Sequence, residues 1–143
     1  MQNGKVGINM FANVYKDKKV LVTGHTGFKG SWLVAWLEML GAEVTGYSRE
    51  SDTTPNHIGL LQTNSKSIIG DVCDLEHLQS VVDEFKPEIV FHLAAQSLVR
   101  RSYRDPVDTY QTNVMGTLNV LLACEKSESV KCVISTTSQV CNH

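Results

Sequence analysis

The sequence lacks the features that mark membrane, nucleic-acid-binding or exported proteins. No apolar run approaches the ~20 residues that a membrane-spanning helix needs. The 143 residues carry 13 basic and 15 acidic side chains, a formal charge of −2, and no run of five like charges, which argues against nucleic acid or a membrane surface as a partner. Residues 1–10 contain no apolar signal-peptide core. We therefore expect one cytoplasmic domain with a core of its own.

Paired cysteine motifs are also absent. The four cysteines, Cys73, Cys124, Cys132 and Cys141, show no C-x-x-C spacing, and two of them lie in apolar periodic segments. We expect reduced, mostly buried thiols and neither a disulfide nor a zinc site. Cys141 and His143 lie two residues apart, but no second pair completes a tetrahedral site, so no metal is predicted.

What the sequence does contain is a glycine turn between a short apolar run and a helical pattern. Residues 20–23 lead into Gly24, Gly27 and Gly30, and apolar residues at helical spacing follow. This order is typical of a loop that binds a dinucleotide pyrophosphate, although the spacing is G-x-x-G-x-x-G instead of G-x-G-x-x-G. Gly24 would allow a tight turn, and Gly27 would let backbone amides reach the phosphates. Gly30 would let the helix start close to the sheet.

Alternating strand and helix patterns fill the rest of the chain. Continuous apolar runs predict strands buried on both faces, and periodic apolar residues bounded by Asp, Pro or Gly predict helices. The strands are predicted at 18–23, 42–48, 66–70, 89–95 and 130–135, and the helices at 31–40, 75–85 and 106–127. Residues 1–17 are interpreted as a flexible extension, residues 49–65 as a long loop and residues 96–105 as a turn.

This alternation predicts the α/β class, with a Rossmann-like, doubly wound parallel sheet of about five strands. Right-handed crossovers favour the strand order 3-2-1-4-5, which places the glycine turn beside strand four. Ligands of such sheets bind at the carboxyl ends of the strands. Five segments should therefore surround one site: 24–30, 48–49, 71–72, 93–96 and 136–138.

The residues after strand two leave the choice between NAD and NADP open. An NAD site usually has an acid at this position, but the chain has Ser48 and Arg49, and no carboxylate before Glu50 and Asp52. Ser48 could hydrogen-bond a ribose hydroxyl, and Arg49 could pair with a 2′-phosphate or be a solvated loop charge. Asp71, directly after strand three, could accept from the adenine amino group or form a turn after Gly70.

Several stretches make the chain similar to a known family. The most specific are Gly-His-Thr-Gly-Phe-Lys-Gly at 24–30 and His-Leu-Ala-Ala-Gln at 92–96, supported by residues 44–48, 70–72, 97–100, 102–106 and 113–117. Over residues 11–138 the chain resembles the amino-terminal part of extended short-chain dehydrogenases/reductases, the NAD-dependent epimerase/dehydratase family. Within that family it resembles the CDP-glucose 4,6-dehydratases.

The resemblance implies a reaction and a set of site residues. Bound NAD would oxidise a CDP-linked glucose at C4, water would be eliminated between C5 and C6, and the hydride would return to C6, giving CDP-4-keto-6-deoxyglucose. The nucleotide sugar is thus implied by the family alone. The candidate cofactor-binding residues are Gly24, Thr26, Gly27, Phe28, Gly30, Ser48, Arg49, Asp71, Val72, Leu93, Ala94, Ala95, Asn113 and Thr137.

The sequence departs from the family after Ser138. Where the family reads Thr-Ser-Asp-Lys-Cys-Tyr, residues 137–142 read Thr-Ser-Gln-Val-Cys-Asn. Gln139 cannot act as a general acid near neutral pH, and Val140 cannot move a proton. The Tyr-x-x-x-Lys helix and the carboxy-terminal substrate domain of the family are missing from this sequence. We therefore expect residues 18–143 to form a truncated NAD(P)-binding domain from an interrupted reading frame, inactive in isolation.

Other functions stay open at this point. Within the same class, a nucleotide-sugar 4-epimerase relative shares the fold and cofactor. From another class, the chain could be a non-catalytic NAD(P)-binding module or a non-functional remnant. The fold is expected to be incomplete on its carboxy-terminal side, which would leave strand five as an exposed edge and allow self-association there.

Overall fold

A computed structural model describes residues 10–51 and 57–136. Five strands form the sheet: β1 Lys19–Thr23, β2 Glu43–Ser48, β3 Lys66–Ile69, β4 Ile89–His92 and β5 Cys132–Ser135. Six α-helices flank it: α1 Phe28–Met39, α2 His57–Leu60, α3 Leu75–Phe85, α4 Val99–Arg104, α5 Pro106–Tyr110 and α6 Gly116–Glu125. A π-helical turn, Gln111–Met115, joins α5 to α6.

The strands pair in parallel in the order β3-β2-β1-β4-β5. Register places Val22 of β1 opposite Gly46 of β2 on one side and Phe91 of β4 on the other. This confirms the predicted Rossmann-like, doubly wound sheet and its strand order. The glycine turn after β1 therefore lies where the crossovers change direction, which is the place where doubly wound sheets bind ligands.

Two apolar clusters cover the two faces of the sheet. Val20 and Val22 of β1 pack with Val34 and Leu37 of α1 on one face. Leu21 packs on the other face with residues of α3 and α6. Successive residues of a strand point to opposite faces, so a central strand covered on both sides has a nearly continuous apolar run. The continuous apolar run of β1 follows from this position.

Several elements differ from the predicted ones, and β5 begins at Cys132 instead of residue 130. Helix α1 begins at Phe28 and not at residue 31, because Gly30 lies inside its first turn. Strand β4 ends at His92, and the following residues leave the sheet as a loop. Short helices α2 and α4 lie within the stretches predicted as a loop and a turn. Asp74, the Asp that precedes the predicted helix 75–85, caps α3, since its carboxylate accepts from the His77 N–H.

The predicted long helix 106–127 is interrupted by the π-helical turn, and its buried face differs from the one that the apolar spacing predicted. Apolar residues whose spacing predicted it are exposed: Val107, Tyr110, Val114, Leu118 and Leu121. The buried face of α6 carries Gly116, Asn119, Val120, Ala123 and Cys124. A small residue is required at Gly116, where a Cβ would lie 2.5 Å from Val72 Cγ2. None of the helices within 10–51 and 57–136 is long and apolar enough to cross a membrane.

Residues preceding β1 contact the α1 face of the sheet. The ring of Tyr15 lies 6.4 Å from that of Phe91, and the ring of Phe11 lies 5.5 Å from that of Trp36. The Asp17 N–H donates to the carbonyl of Gly41, the residue that ends α1 with a φ of +86°. These contacts connect residues 11–17 to α1 and β4.

The cysteines of the described ranges are all free, but their exposure differs from the expectation. Cys73 and Cys132 are exposed, so the expectation of mostly buried thiols is wrong for them. Cys124 is buried on α6, and this burial raises the pKa of its thiol to about 11. A thiol with such a high pKa is protonated, and therefore inert, at neutral pH.

A buried chain of hydrogen bonds connects β1, β4 and α6 through His92. His92 Nδ1 lies 2.7 Å from Thr23 Oγ1, and Nε2 lies 2.9 Å from Thr117 Oγ1. Because Thr117 Oγ1 donates to the Asn113 carbonyl, it accepts from Nε2–H. Nδ1 then accepts from Thr23, which in turn accepts from the Ala94 N–H. One neutral imidazole tautomer satisfies every group in the chain.

A second buried histidine holds the glycine turn against β2 and β3. His25 is fully buried, and its Nε2 lies 2.7 Å from Ser67 Oγ. Gly46 makes room for its ring, because a Cβ there would overlap the imidazole. Burial lowers the pKa of both His25 and His92, and the Tyr47 backbone opposes this effect at His25. Both side chains are therefore held neutral in the folded protein.

We predict that the protein loses stability as the pH falls below about 6.5, the usual histidine pKa. The pKa values of His25 and His92 are lowered in the folded state, so protons bind more strongly to the unfolded chain. Protonation in this pH range therefore favours unfolding. Each histidine can contribute up to about 1.4 kcal/mol per pH unit in this range. Urea unfolding at several pH values between 5 and 8 measures the effect. His92→Gln should flatten the slope, and an unchanged slope would contradict this assignment.

Candidate functional site

A cleft of about 850 Å³ lies at the carboxyl ends of the strands. Every candidate cofactor residue except Asn113 and Thr137 lines it, so the structure brings together the glycine turn, the ends of β2 and β3, and the loop after β4. Thr137, together with Gln139 and Val140, lies outside the described residues. The volume is within the range of small-molecule and cofactor sites.

The glycine turn has no room for side chains at two positions. Gly24 adopts a φ of +74°, and a Cβ there would lie 2.7 Å from the Ala94 nitrogen. A Cβ on Gly30 would overlap the carbonyl oxygen of Gly24 and lie 2.8 Å from His25 Cα. The tight turn expected at Gly24 is therefore present. At Gly30 the helix packs against the turn itself, and not against the sheet as expected.

The first turn of α1 borders the cleft and has no side-chain cap. Gly27 is its N-cap, in an extended conformation, and no side chain among the described residues caps the helix. Phe28, Lys29 and Gly30 line the cleft next to it. The N–H groups at a helix start are unpaired and carry the positive end of the helix dipole. This end of the cleft therefore fits a diphosphate, which supplies the missing acceptors.

Two hydroxyl groups connect the glycine turn to the end of β2. Thr26 Oγ1 and Ser48 Oγ lie 2.5 Å apart, and Ser48 Oγ also lies 2.7 Å from the Arg49 carbonyl oxygen, to which it donates. Ser48 is buried, so its hydroxyl is committed to the turn. Ser48 therefore has no proton left for a ribose, and the ribose contact considered for it would have to use its hydroxyl as the acceptor.

Arg49 contacts groups from three other segments. Its Nε lies 3.7 Å from Asp71 Oδ2, its Nη1 lies 3.6 Å from Asp108 Oδ1, and its Nη2 donates to Thr112 Oγ1 at 3.2 Å. Asp71 also accepts from the Cys73 N–H, which shows that it forms the turn after β3. Arg49 is thus not a freely solvated loop charge, the other alternative considered for it.

Asn113 does not line the cleft, but it holds a loop that does. Its Oδ1 accepts from the Gln96 N–H at 2.7 Å, and its Nδ2 donates to the Gln96 carbonyl at 3.0 Å. The side chain lies on the π-helical turn, and such turns are frequent at functional sites. Asn113 therefore fixes the loop after β4, which carries the cleft residues Leu93, Ala94 and Ala95.

The structure also shows residues that the sequence analysis missed. His57 of α2 lines the cleft, with its ring 5.2 Å from that of Phe28 and its Nδ1 2.6 Å from Ser31 Oγ. Asn119 of α6 donates to the carbonyls of Val72 and Cys73 and holds the loop after β3. Neither residue lies in a glycine or charge motif. The one available signal was an amide inside an apolar helix at Asn119.

Metal chemistry finds no support in the described part of the chain. Within residues 10–51 and 57–136, no group of three or more His, Cys, Asp or Glu side chains is arranged to hold a metal ion.

The family model described as GDP-mannose 4,6 dehydratase matches residues 21–141, which includes all the segments around the cleft. The chain belongs to this family of sugar-nucleotide dehydratases and epimerases. The resemblance stated from the two motifs is therefore confirmed.

Individual members of the dehydratase and epimerase family agree with this assignment. The chain is 49% identical over 131 residues to a CDP-glucose 4,6-dehydratase of Salmonella typhimurium (strain LT2), covering 90% of this chain and 36% of that protein. A solved UDP-glucose 4-epimerase from Brucella ovis in complex with NAD superposes with a TM-score of 0.73 at 30% identity, covering 82% of this chain and 35% of that one. The Thermus thermophilus UDP-glucose 4-epimerase complex with NAD gives a TM-score of 0.71 at 34% identity, covering 83% and 37%. The chain thus spans about a third of the length of these relatives.

The glycine turn allows a matched pair of substitutions. Gly30→Ala should lower the free energy of unfolding by more than about 2 kcal/mol, because the methyl group overlaps backbone that cannot move aside. Gly27→Ala should cost less than about 1 kcal/mol, since Gly27 has a φ of −72° and its Cβ would approach only the Gly24 oxygen, at 3.3 Å. Chemical denaturation measures both. Equal losses would contradict the packing described for Gly30.

Proposed function

We propose that the chain is the cofactor-binding part of a sugar-nucleotide 4,6-dehydratase and that it holds NAD in the cleft after the sheet. The observation that carries the proposal is the uncapped first turn of α1, which borders the cleft beside glycines that keep side chains away. A dinucleotide diphosphate is the ligand that this combination suits. NAD-bound relatives with the same fold support the choice of cofactor.

Each part of the cleft has a separate task in this proposal. The Gly24–Gly30 turn binds the diphosphate, Asp71 and Val72 border the adenine, and the loop 93–95 borders the cofactor on the β4 side. Asn113 and His92 keep that loop in place. Bound NAD would accept a hydride from the sugar and later return it, so the residues of this chain would bind and orient the cofactor.

The proposed substrate is a CDP-linked glucose. It is supported by the 49% identity to a CDP-glucose 4,6-dehydratase, whereas the solved UDP-glucose 4-epimerases are 30% and 34% identical. An epimerase relative is the second candidate, because it shares the sheet and the cleft. Cytoplasmic location and self-association through β5 remain predictions.

We further propose that this chain alone binds NAD without converting the sugar nucleotide. Gln139 stands where the family has its acid, and Val140 where it has a lysine. General acid–base groups each contribute about 10²–10⁴ in rate, so losing two of them removes measurable turnover. In this form the chain would act as a non-catalytic NAD-binding module.

Titration calorimetry with NAD, followed by incubation with CDP-glucose, tests the proposal. We expect saturable NAD binding and no keto sugar. Gly27→Ala should weaken NAD binding about tenfold, because its methyl group separates the backbone N–H groups from the diphosphate. Asp83→Asn, on the exposed surface of α3, is the control and should bind like the parent.

Three results would contradict parts of this account. If the chain does not bind NAD, the cofactor proposal is wrong and the chain is a non-functional remnant. Formation of a keto sugar would show that Gln139 and Val140 do not prevent the chemistry. Equal NAD affinity of the parent and Gly27→Ala would show that the cofactor does not bind at the glycine turn.

A further inference from the structure

Arg49 occupies the position that usually decides between NAD and NADP. In dinucleotide-binding sheets the 2′ position of the adenosine ribose faces the end of the second strand, and an arginine there commonly accommodates the 2′-phosphate of NADP. Arg49 directly follows β2 and lines the cleft, so its position would allow a contact with the 2′-phosphate of NADP. The acidic residues around Arg49 in the folded chain favour NAD instead.

The guanidinium group of Arg49 already faces two carboxylates. Asp71 Oδ2 lies 3.7 Å from Nε and Asp108 Oδ1 lies 3.6 Å from Nη1, while Thr112 accepts from Nη2. Asp108 also pairs with Arg101, so the two carboxylates and two guanidinium groups of this cluster balance in charge. A 2′-phosphate would bring about two further negative charges to the same place. It would have to compete with both carboxylates for Arg49 and would be repelled by them.

We propose that Asp108 is a specificity-determining residue that makes the site select NAD over NADP by holding Arg49. This proposal rests on the proposed cofactor function. Asp108 lies on α5, outside the cleft lining, and acts on the ligand only through Arg49 and through its charge.

Asp108 is better suited to this role than Asp71. Its side chain is 24% exposed, against 38% for Asp71, so solvent screens its charge less. Its second oxygen, Oδ2, lies 3.1 Å from Arg101 Nη2 on α4. Its own N–H donates to the Asp105 carboxylate, which fixes the start of α5. Asp71 lines the cleft and forms the turn after β3, so changing it would disturb several features at once.

The experiment measures the dissociation constants of NAD and NADP for the full chain at low ionic strength, where partly exposed charges act most strongly. Asp108→Asn keeps the shape of the side chain and removes its charge. NADP should then bind about three- to fivefold more tightly, the factor that a partly exposed ion pair can supply, while NAD binding changes by less than roughly twofold. Asp83→Asn removes an equal charge from α3, away from the cleft, and should leave both constants unchanged.

A second variant acts in the opposite direction. Arg101→Gln removes the competing partner of Asp108 and leaves its carboxylate to Arg49 alone, so NADP should bind still more weakly relative to NAD. Circular dichroism establishes that each variant is folded. This variant also tests the proposal if Asp108→Asn does not fold.

Each outcome has a defined meaning. If the parent binds NAD but the ratio of the two constants is the same in Asp108→Asn, or if the parent prefers NADP, the specificity proposal is wrong and the cofactor function stands. Equal weakening of both ligands would show that Asp108 is only structural. If the parent binds neither nucleotide, the proposed function itself is wrong, and the specificity proposal fails with it.

Discussion

The contact between Gly24, Gly30 and the loop after β4 is the constraint on which the rest of the structure depends. A Cβ on Gly24 would collide with Leu93 and Ala94, and one on Gly30 with the Gly24 carbonyl. Three backbone segments, from β1, α1 and β4, therefore meet without intervening side chains. This contact packs the first turn of α1 directly on the glycine turn, and both line the cleft.

Two kinds of interaction position opposite ends of the cleft. At the glycine end, backbone packing and the buried His92 hydrogen bonds hold the loop in place, with neutral groups throughout. At the β2 end, the ion pairs of Arg49 hold β2, the loop after β3 and α5 together. In the proposed function, the first end would provide backbone N–H groups for any dinucleotide, whereas the second would distinguish one dinucleotide from another. Binding and selectivity would then be separated in space.

The sequence allowed the sheet order, the glycine turn and most cleft residues to be predicted, because these depend on strand periodicity and on local glycine patterns. Helix interruptions and side-chain partners could not be predicted. The exposed residues Val107 and Tyr110 have core-like spacing, and the buried face of α6 is decided by tertiary packing such as that of Gly116 on Val72. Asp108 and Thr112 meet Arg49 through the fold alone, so no local pattern could relate them.

Backbone amide shifts upon addition of NAD test the central claim most directly. In ¹H–¹⁵N spectra of the labelled chain, the largest shifts should occur at Phe28, Lys29 and Gly30, whose N–H groups begin α1 at the cleft. Smaller shifts should follow at the loop 93–96. Absent shifts in the glycine turn, or larger shifts on the exposed face of α6, would contradict the claim that this turn holds the cofactor.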